Sequence, residues 1–91
     1  MDLKRNLVGQ KIELLDFSRN CDEFYSYSQT GEISAWSITE KHFIRLITKL
    51  NRYEHPLTMM KVVGKNNTIV CYSRIHRRFL VILQSESMGP P

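Results

Sequence analysis

The stretch SITEKHFIRLITKLNRY, from Ser37 to Tyr53, has the strongest periodicity in the chain and decides the predicted fold. Ser37 and Glu40 have the S-x-x-E spacing of a capping box, which marks the start of a helix. Pro56 marks its end, because a proline ring clashes with the preceding turn. The apolar residues recur at the i, i+3, i+4, i+7 spacing of one helical stripe, namely at Phe43, Leu46, Ile47 and Leu50. The stretch predicts one long helix.

Residues before this stretch predict three strands. The run Lys11–Phe17 changes its apolar phase halfway along, as a strand with a bulge does. A hairpin is predicted over Glu23–Ile38, where two β-prone runs flank the turn letters QTG. With Thr30 and Gly31 as a two-residue loop, the expected register pairs Tyr25 with Trp36 and Tyr27 with Ser34.

Residues after Pro56 predict three more strands. The run Leu57–Val63 fits a strand or a short helix, and we favour the strand because a turn cluster, Gly64–Asn67, follows it. Thr68–Tyr72 is rich in β-branched residues and predicts a strand. Phe79–Gln84 is the most apolar run and predicts a strand at the centre of a sheet, buried on both faces. A tight turn is expected at Arg74–Arg78 between the last two strands.

These elements predict an α+β fold with the order β-β-β-α-β-β-β, in which an antiparallel sheet of five or six strands packs on one central helix. Residues 1–84 are expected to form a single compact domain and residues 85–91 a flexible tail. We find no internal repeat. The longest apolar run is far shorter than the roughly 20 residues that cross a bilayer, and the first ten residues lack a secretory signal. We therefore expect no membrane association and a cytoplasmic location.

The formal net charge of +4 is unevenly distributed. Residues 1–36 hold four Lys or Arg against six Asp or Glu, whereas residues 37–91 hold nine against three. A clustered positive field attracts nucleic acids and acidic proteins. Four cations share one sector of the predicted helix, opposite its apolar stripe: Lys41, Arg45, Lys49 and Arg52. A second basic cluster lies on predicted loops: Lys65, Arg74, His76, Arg77 and Arg78.

Both basic groups have a simpler interpretation. Exposed helix positions favour Lys and Arg for propensity and solubility alone. Loop cations beside a very apolar strand also protect it against aggregation. Three aromatic residues, Tyr25, Tyr27 and Trp36, are candidates for stacking on unpaired bases, but packing against the helix is the favoured interpretation because aromatic rings supply much of a small core.

The sequence contains no pattern typical of an enzyme or a metal site. Its two cysteines and three histidines lack the paired spacing of zinc ligands, and no phosphate-binding glycine loop or catalytic serine motif occurs. We expect free thiols, no cofactor and no small-molecule substrate. The predicted function is that of a small, basic, non-enzymatic nucleic-acid-binding accessory or regulatory protein. The alternative is a protein-binding adaptor or inhibitor whose basic face docks on an acidic surface.

Overall fold

The computed structural model describes residues 11–84, which form seven strands and no helix. The strands are β1 (Ile12–Phe17), β2 (Glu23–Ser28), β3 (Glu32–Ser37), β4 (His42–Lys49), β5 (Met59–Val63), β6 (Thr68–Ser73) and β7 (Arg78–Ile82). They make two antiparallel sheets, β1-β2-β3-β4 and β5-β6-β7, in which each strand pairs with its neighbours in sequence. The fold is all-β, so the predicted α+β class with a single sheet is wrong. The predicted flexible tail at 85–91 lies outside the described residues.

The predicted central helix is replaced by a turn and β4. The hydrogen bond expected of the capping box is present, because the Glu40 N–H donates to Ser37 Oγ over 3.0 Å. It closes a tight turn instead of opening a helix, and Lys41, with φ of 60°, turns the chain back. Serine side chains make such local bonds in turns as readily as at helix starts. The S-x-x-E spacing alone does not distinguish the two.

Strand β4 is apolar on both sides, which explains its helix-like pattern. Ile47 packs against the core between the sheets. Phe43 lies on the opposite side, with its ring centroid 5.6 Å from that of Trp36. Two shifts in the register between β3 and β4 move residues from one side to the other. Apolar residues on both sides of an irregular strand therefore reproduce the spacing of a helical stripe.

The hairpin of β2 and β3 is confirmed, but its register differs from the predicted one. The observed pairs are Tyr25–Ala35 and Tyr27–Ile33. The loop takes three residues, Gln29–Gly31, because Gly31 has φ of 90° and its N–H donates to the Ser28 carbonyl over 2.9 Å. A Cβ at Gly31 would overlap the Leu50 carbonyl oxygen, so only glycine fits there.

The core lies between the two sheets. Its fully or almost fully buried members come from both sheets: Tyr25, Tyr27, Ile33, Ala35, Val62, Ile69 and Cys71. At one side of this interface, the Val62 N–H donates to Asp16 Oδ2 over 2.8 Å. This bond ties β1 to the neighbouring strand β5, so the edge of β5 is partly satisfied by the first sheet.

The two sheets are two copies of one structural unit. The expectation that the chain contains no internal repeat is therefore wrong. Strands β1 and β2 correspond to β5 and β6 with an offset of 45 residues, and β3 corresponds to β7 with an offset of 46 because the last turn is one residue longer. Corresponding pairs are Leu14–Tyr27 with Met59–Tyr72, and Tyr27–Ile33 with Tyr72–Phe79. Among the described strands, the second copy has no counterpart of β4.

Several strand predictions are confirmed. Strand β1 contains a register shift, as predicted, but it lies between Ile12 and Leu14 and not at the expected change of phase between Leu14 and Leu15. The three strands after Pro56 are present, and the turn before β7 closes with Arg77 at φ of 54°. The prediction that β7 is central and buried on both faces is wrong, because it lies at a sheet edge with Phe79 71% exposed. No helix in the described range is long and apolar enough to cross a membrane.

Candidate interaction surface

The outward side of the second sheet is apolar. Side chains alternate between the two sides of a strand, and the outward members, called here the open face, are Met59, Lys61, Val63, Thr68, Val70, Tyr72, Phe79 and Val81. Met59 is 60% exposed and Val81 53%. The rings of Tyr72 and Phe79 lie with their centroids 4.9 Å apart. A sheet with one side in water normally carries polar residues there, so an exposed apolar side indicates an interaction site.

The open face has the composition of a buried face. Its positions correspond to those of the first sheet that face the core: Met59 to Leu14, Lys61 to Asp16, Val70 to Tyr25, Tyr72 to Tyr27, Phe79 to Ile33 and Val81 to Ala35. In the first sheet, Tyr27 and Ile33 have no exposed surface, because the second sheet covers them. The open face is therefore the same surface without its covering sheet.

Cations predominate around this face. Residues 55–84 contain five Lys or Arg and no Asp or Glu, and Glu54, directly before this range, lies near Arg78 and Phe79. Lys61 lies on the face itself, Lys65 lies in the turn at one end, and three arginines lie at the other end: Arg74, Arg77 and Arg78. None of the five forms an ion pair with a described residue. His76 lies in the same turn as the arginines and is also exposed, so the basic cluster predicted on loops is divided between the two ends of the sheet.

The basic row predicted on the helix does not exist in this fold. Lys41 lies in the turn before β4, and Lys49 lies at the end of that strand, opposite Glu32. Arg52 lies in the loop after β4 and is neutralised, since its Nη2 is 3.1 Å from Glu13 Oε1. Its guanidinium carbon also lies 5.9 Å from the centre of the Tyr27 ring. The structure does not bring these cations together, and Arg52 serves to hold a loop against the first sheet.

Arg45, the fourth member of that row, lies in a polar cleft of about 270 Å³ at the rim between the sheets. It donates through Nη2 to Gln84 Oε1 over 2.8 Å, and its Nη1 is 3.6 Å from Glu23 Oε2. The Tyr25 hydroxyl donates to Glu23 Oε1 over 3.0 Å, and burial raises the pKa of this tyrosine. Gln84 in turn donates to the Asn67 carbonyl over 2.7 Å. These polar groups form hydrogen bonds with one another, and the bonds link the first sheet to the end of the second.

The three aromatic residues considered for base stacking are buried. Tyr25 and Tyr27 lie between the sheets, and Trp36 lies on the other side of the first sheet. All three are at most 1% exposed, so no ring has a face free for a base. The Trp36 indole Nε1–H donates to Ser26 Oγ over 2.8 Å. The favoured interpretation, packing against the helix, is right that they lie in the interior and wrong about what they pack against. Tyr25 and Tyr27 pack between the sheets, and Trp36 contacts the rings of Phe24 and Phe43.

Groups with chemical reactivity are dispersed. Both cysteines are free thiols: Cys21 is exposed, whereas burial raises the pKa of the Cys71 thiol to about 11. His42 Nε2 lies 3.0 Å from Glu40 Oε1 at the surface. Within residues 11–84, no group of three or more His, Cys, Asp or Glu side chains is arranged to hold a metal ion.

The residues of the open face were not recognised in the sequence as an exposed surface. The run Phe79–Gln84 is so apolar that it predicts burial on both sides. The internal repeat is the sequence signal that could have identified this surface. The tripeptides SYS at 26–28 and CYS at 71–73 mark corresponding positions of β2 and β6, and so show which residues of the second sheet correspond to the inner face of the first. No family model, no curated protein and no solved structure matches this chain.

Proposed function

We propose that this chain is a non-enzymatic binding protein whose open face docks on an acidic surface of a partner protein. One observation supports it above all: apolar side chains of the open face stand in water, and every charged side chain from residue 55 to residue 84 is a cation. Apolar patches with a polar rim are typical of protein association sites. The cations would steer an acidic partner and fix its orientation.

The chemistry of the open face favours a protein over a nucleic acid. Aliphatic side chains of Met59, Val70 and Val81 flank the ring pair of Tyr72 and Phe79. Such side chains find matching apolar groups on a protein surface, whereas a phosphate backbone offers them none. Of the cations first assigned to phosphate contacts, Arg45 and Arg52 are engaged with carboxylates of this chain. The protein-docking alternative therefore becomes the leading one.

The proposal keeps the cytoplasmic location expected from the sequence. An exposed free thiol such as Cys21 remains reduced in the cytosol, whereas an oxidising compartment promotes disulfide formation. The proposal assigns no catalytic step to any residue.

The substitution Phe79→Ser tests the proposal. Phe79 is 71% exposed, so the variant should keep the melting temperature of the wild type while losing the largest apolar contact of the open face. Each protein is immobilised and incubated with nuclease-treated cell extract, and the bound proteins are quantified by mass spectrometry. We expect F79S to retain about five-fold less of the acidic proteins that the wild type binds.

The matched control is Tyr53→Ser, which removes an aromatic ring that is 92% exposed and lies outside the open face. This control should bind the same proteins as the wild type. Equal capture by wild type and F79S would overturn the proposal. Labelled DNA and RNA are titrated in parallel, and binding that F79S abolishes would assign the open face to nucleic acid instead.

A further inference from the structure

Among the described strands the second sheet lacks a counterpart of β4, and the first sheet defines where such a strand would pair. In the first sheet β3 pairs on both sides, with β2 and with β4. Its counterpart β7 pairs only with β6 among the described strands. We infer that the outer edge of β7 accepts an extended, antiparallel strand of a partner protein, in the position that β4 occupies beside β3. The inference rests on the proposed function and names the form in which the partner binds.

Of the sheet edges, that of β7 is best suited to accept a strand. The edges of β1 and β5 lie against each other, because the Val62 N–H of β5 donates to the Asp16 carboxylate of β1. Strand β4 has two register shifts against β3, and such irregularities protect an edge from pairing. Strand β7 pairs with β6 through five consecutive residues without a shift. Its outward residues Phe79 and Val81 are exposed, so a new strand would extend an apolar surface.

The charge at the start of β7 indicates what the incoming strand carries. In the first sheet Glu32 lies directly opposite Lys49 of β4. The corresponding position of the second sheet holds Arg78, because Arg78 directly precedes Phe79 as Glu32 precedes Ile33. The charge is reversed, so the incoming strand should carry Asp or Glu where β4 carries Lys49.

The same reversal disfavours β4 of a second copy as the occupant. That strand would bring Lys49 opposite Arg78, and like charges directly opposite each other destabilise a strand pair. The occupant that suits Arg78 better is an extended segment of a partner protein. It has apolar side chains like those of β4 and a carboxylate near its C-terminal end.

Two fluorescent peptides test this arrangement on the full chain by anisotropy. Both have the sequence of residues 41–50, and one carries K49E. We expect the glutamate peptide to bind about five-fold more tightly than the lysine peptide, because it exchanges a repulsion for an attraction at Arg78. The variant Arg78→Glu should reverse this preference. The matched control Arg74→Glu makes the same charge change at the other end of the turn and should leave the preference as it is.

Backbone pairing is tested with N-methylated forms of the glutamate peptide. Six forms each carry one N-methyl group, at positions 43 to 48 in turn. Only some N–H groups of a paired strand point to its neighbour, and the register shifts of β4 interrupt their alternation. Methylation at those positions should weaken binding at least ten-fold, and methylation at the others should leave it as before. Docking through side chains alone would weaken all forms alike or none.

Three results would overturn strand addition: no binding of the glutamate peptide, a preference that R78E leaves unchanged, or equal effects of methylation at all six positions. If the peptides fail while F79S still loses its captured proteins, only strand addition is removed and the proposed function stands. If the peptides bind as expected while F79S captures proteins as the wild type does, docking through the open face is removed and the strand-accepting edge remains.

Discussion

The inner face of the first sheet and the open face of the second occupy the same place in the same structural unit. Ile33 has no exposed surface, whereas its counterpart Phe79 is 71% exposed. Tyr27 and Tyr72 are the same residue type at corresponding positions, so side-chain chemistry does not explain the difference. The first face is covered by a sheet, and the second has no described sheet over it. A repeated unit depends on its neighbour to bury its apolar side, and this chain shows both situations in one fold.

The two units also handle charge differently. The two ion pairs between arginine and glutamate among the described residues, Arg45–Glu23 and Arg52–Glu13, both lie in or beside the first sheet, as does the contact of His42 with Glu40. The second sheet has no carboxylate with which to neutralise its cations. The inner face of the first unit is therefore covered by the second sheet, and two of its arginines are paired with its own carboxylates. The second unit leaves its outward apolar side and its cations available to a partner.

The largest expected difference concerns one corresponding pair, Ile33 and Phe79. Ile33→Ala should lower the free energy of unfolding by about 2 to 5 kcal/mol, because it leaves a cavity between the sheets. Phe79→Ala removes a larger side chain but should change stability by less than about 1 kcal/mol, because the ring is already in water. Urea titration of both variants measures the difference. Equal losses would show that the open face is covered in solution. The contrast between a buried inner face and an exposed open face would then be wrong.

The two hairpin turns provide the next comparison. Gly31 and Arg77 both have positive φ, of 90° and 54°. Gly31→Ala should destabilise the protein by about 2 kcal/mol or more, because its Cβ would meet the Leu50 carbonyl oxygen as well as the strained backbone. Arg77→Gly should stabilise it by up to about 1 kcal/mol by relieving the left-handed strain.

Thermal unfolding of these two variants is sufficient to measure the effects. Arg74→Gly in the same turn is the control for loss of charge, since Arg74 has no positive φ. A stabilisation by R74G as large as that by R77G would attribute the gain to reduced repulsion among the arginines.

The smallest expected effect concerns Asp16 and Lys61, which occupy corresponding positions in β1 and β5. Asp16→Ala should cost about 1 kcal/mol, because the Val62 N–H loses its acceptor at a partly buried site. Lys61→Ala should stay within about 0.5 kcal/mol of the wild type, because Lys61 is exposed and forms no described ion pair. The urea concentrations at the unfolding midpoints of the two variants and the wild type measure these effects. An unchanged midpoint for D16A would show that the joint between β1 and β5 contributes nothing to stability.

The short-range features were predicted correctly where local chemistry decides them. The hairpin over Glu23–Ile38, the turn at Gly64–Asn67 and the strand character of the last three β-runs follow from turn residues and β-branched content. The hairpin register was wrong because the conformation of Gly31 is adapted to Leu50, which is distant in sequence. Local preference identified the turn, and a tertiary contact selected its length.

For the basic residues of the candidate site, the sequence likewise predicted some properties and the tertiary structure determined others. Their existence and their concentration after residue 36 are properties of the sequence, and they indicated an anionic or acidic partner. Which of them remain available depends on distances across the fold. Arg45 and Arg52 meet Glu23 and Glu13, which are far from them in sequence. The cations of residues 55–84 have no carboxylate nearby in sequence and form no ion pair with a described residue.

The sequence by itself determined the strands after Pro56, the turns between them and the sign of the charge in the second half of the chain, because these depend on neighbouring residues. Only the tertiary structure decided that Ser37–Tyr53 forms a turn and an edge strand instead of a helix. Its apolar spacing suits either element, and the strand forms because β3 pairs along it and the core receives Ile47. The tertiary structure likewise decided which apolar side is buried, since a face that reads as core in the sequence is buried only where a second sheet covers it.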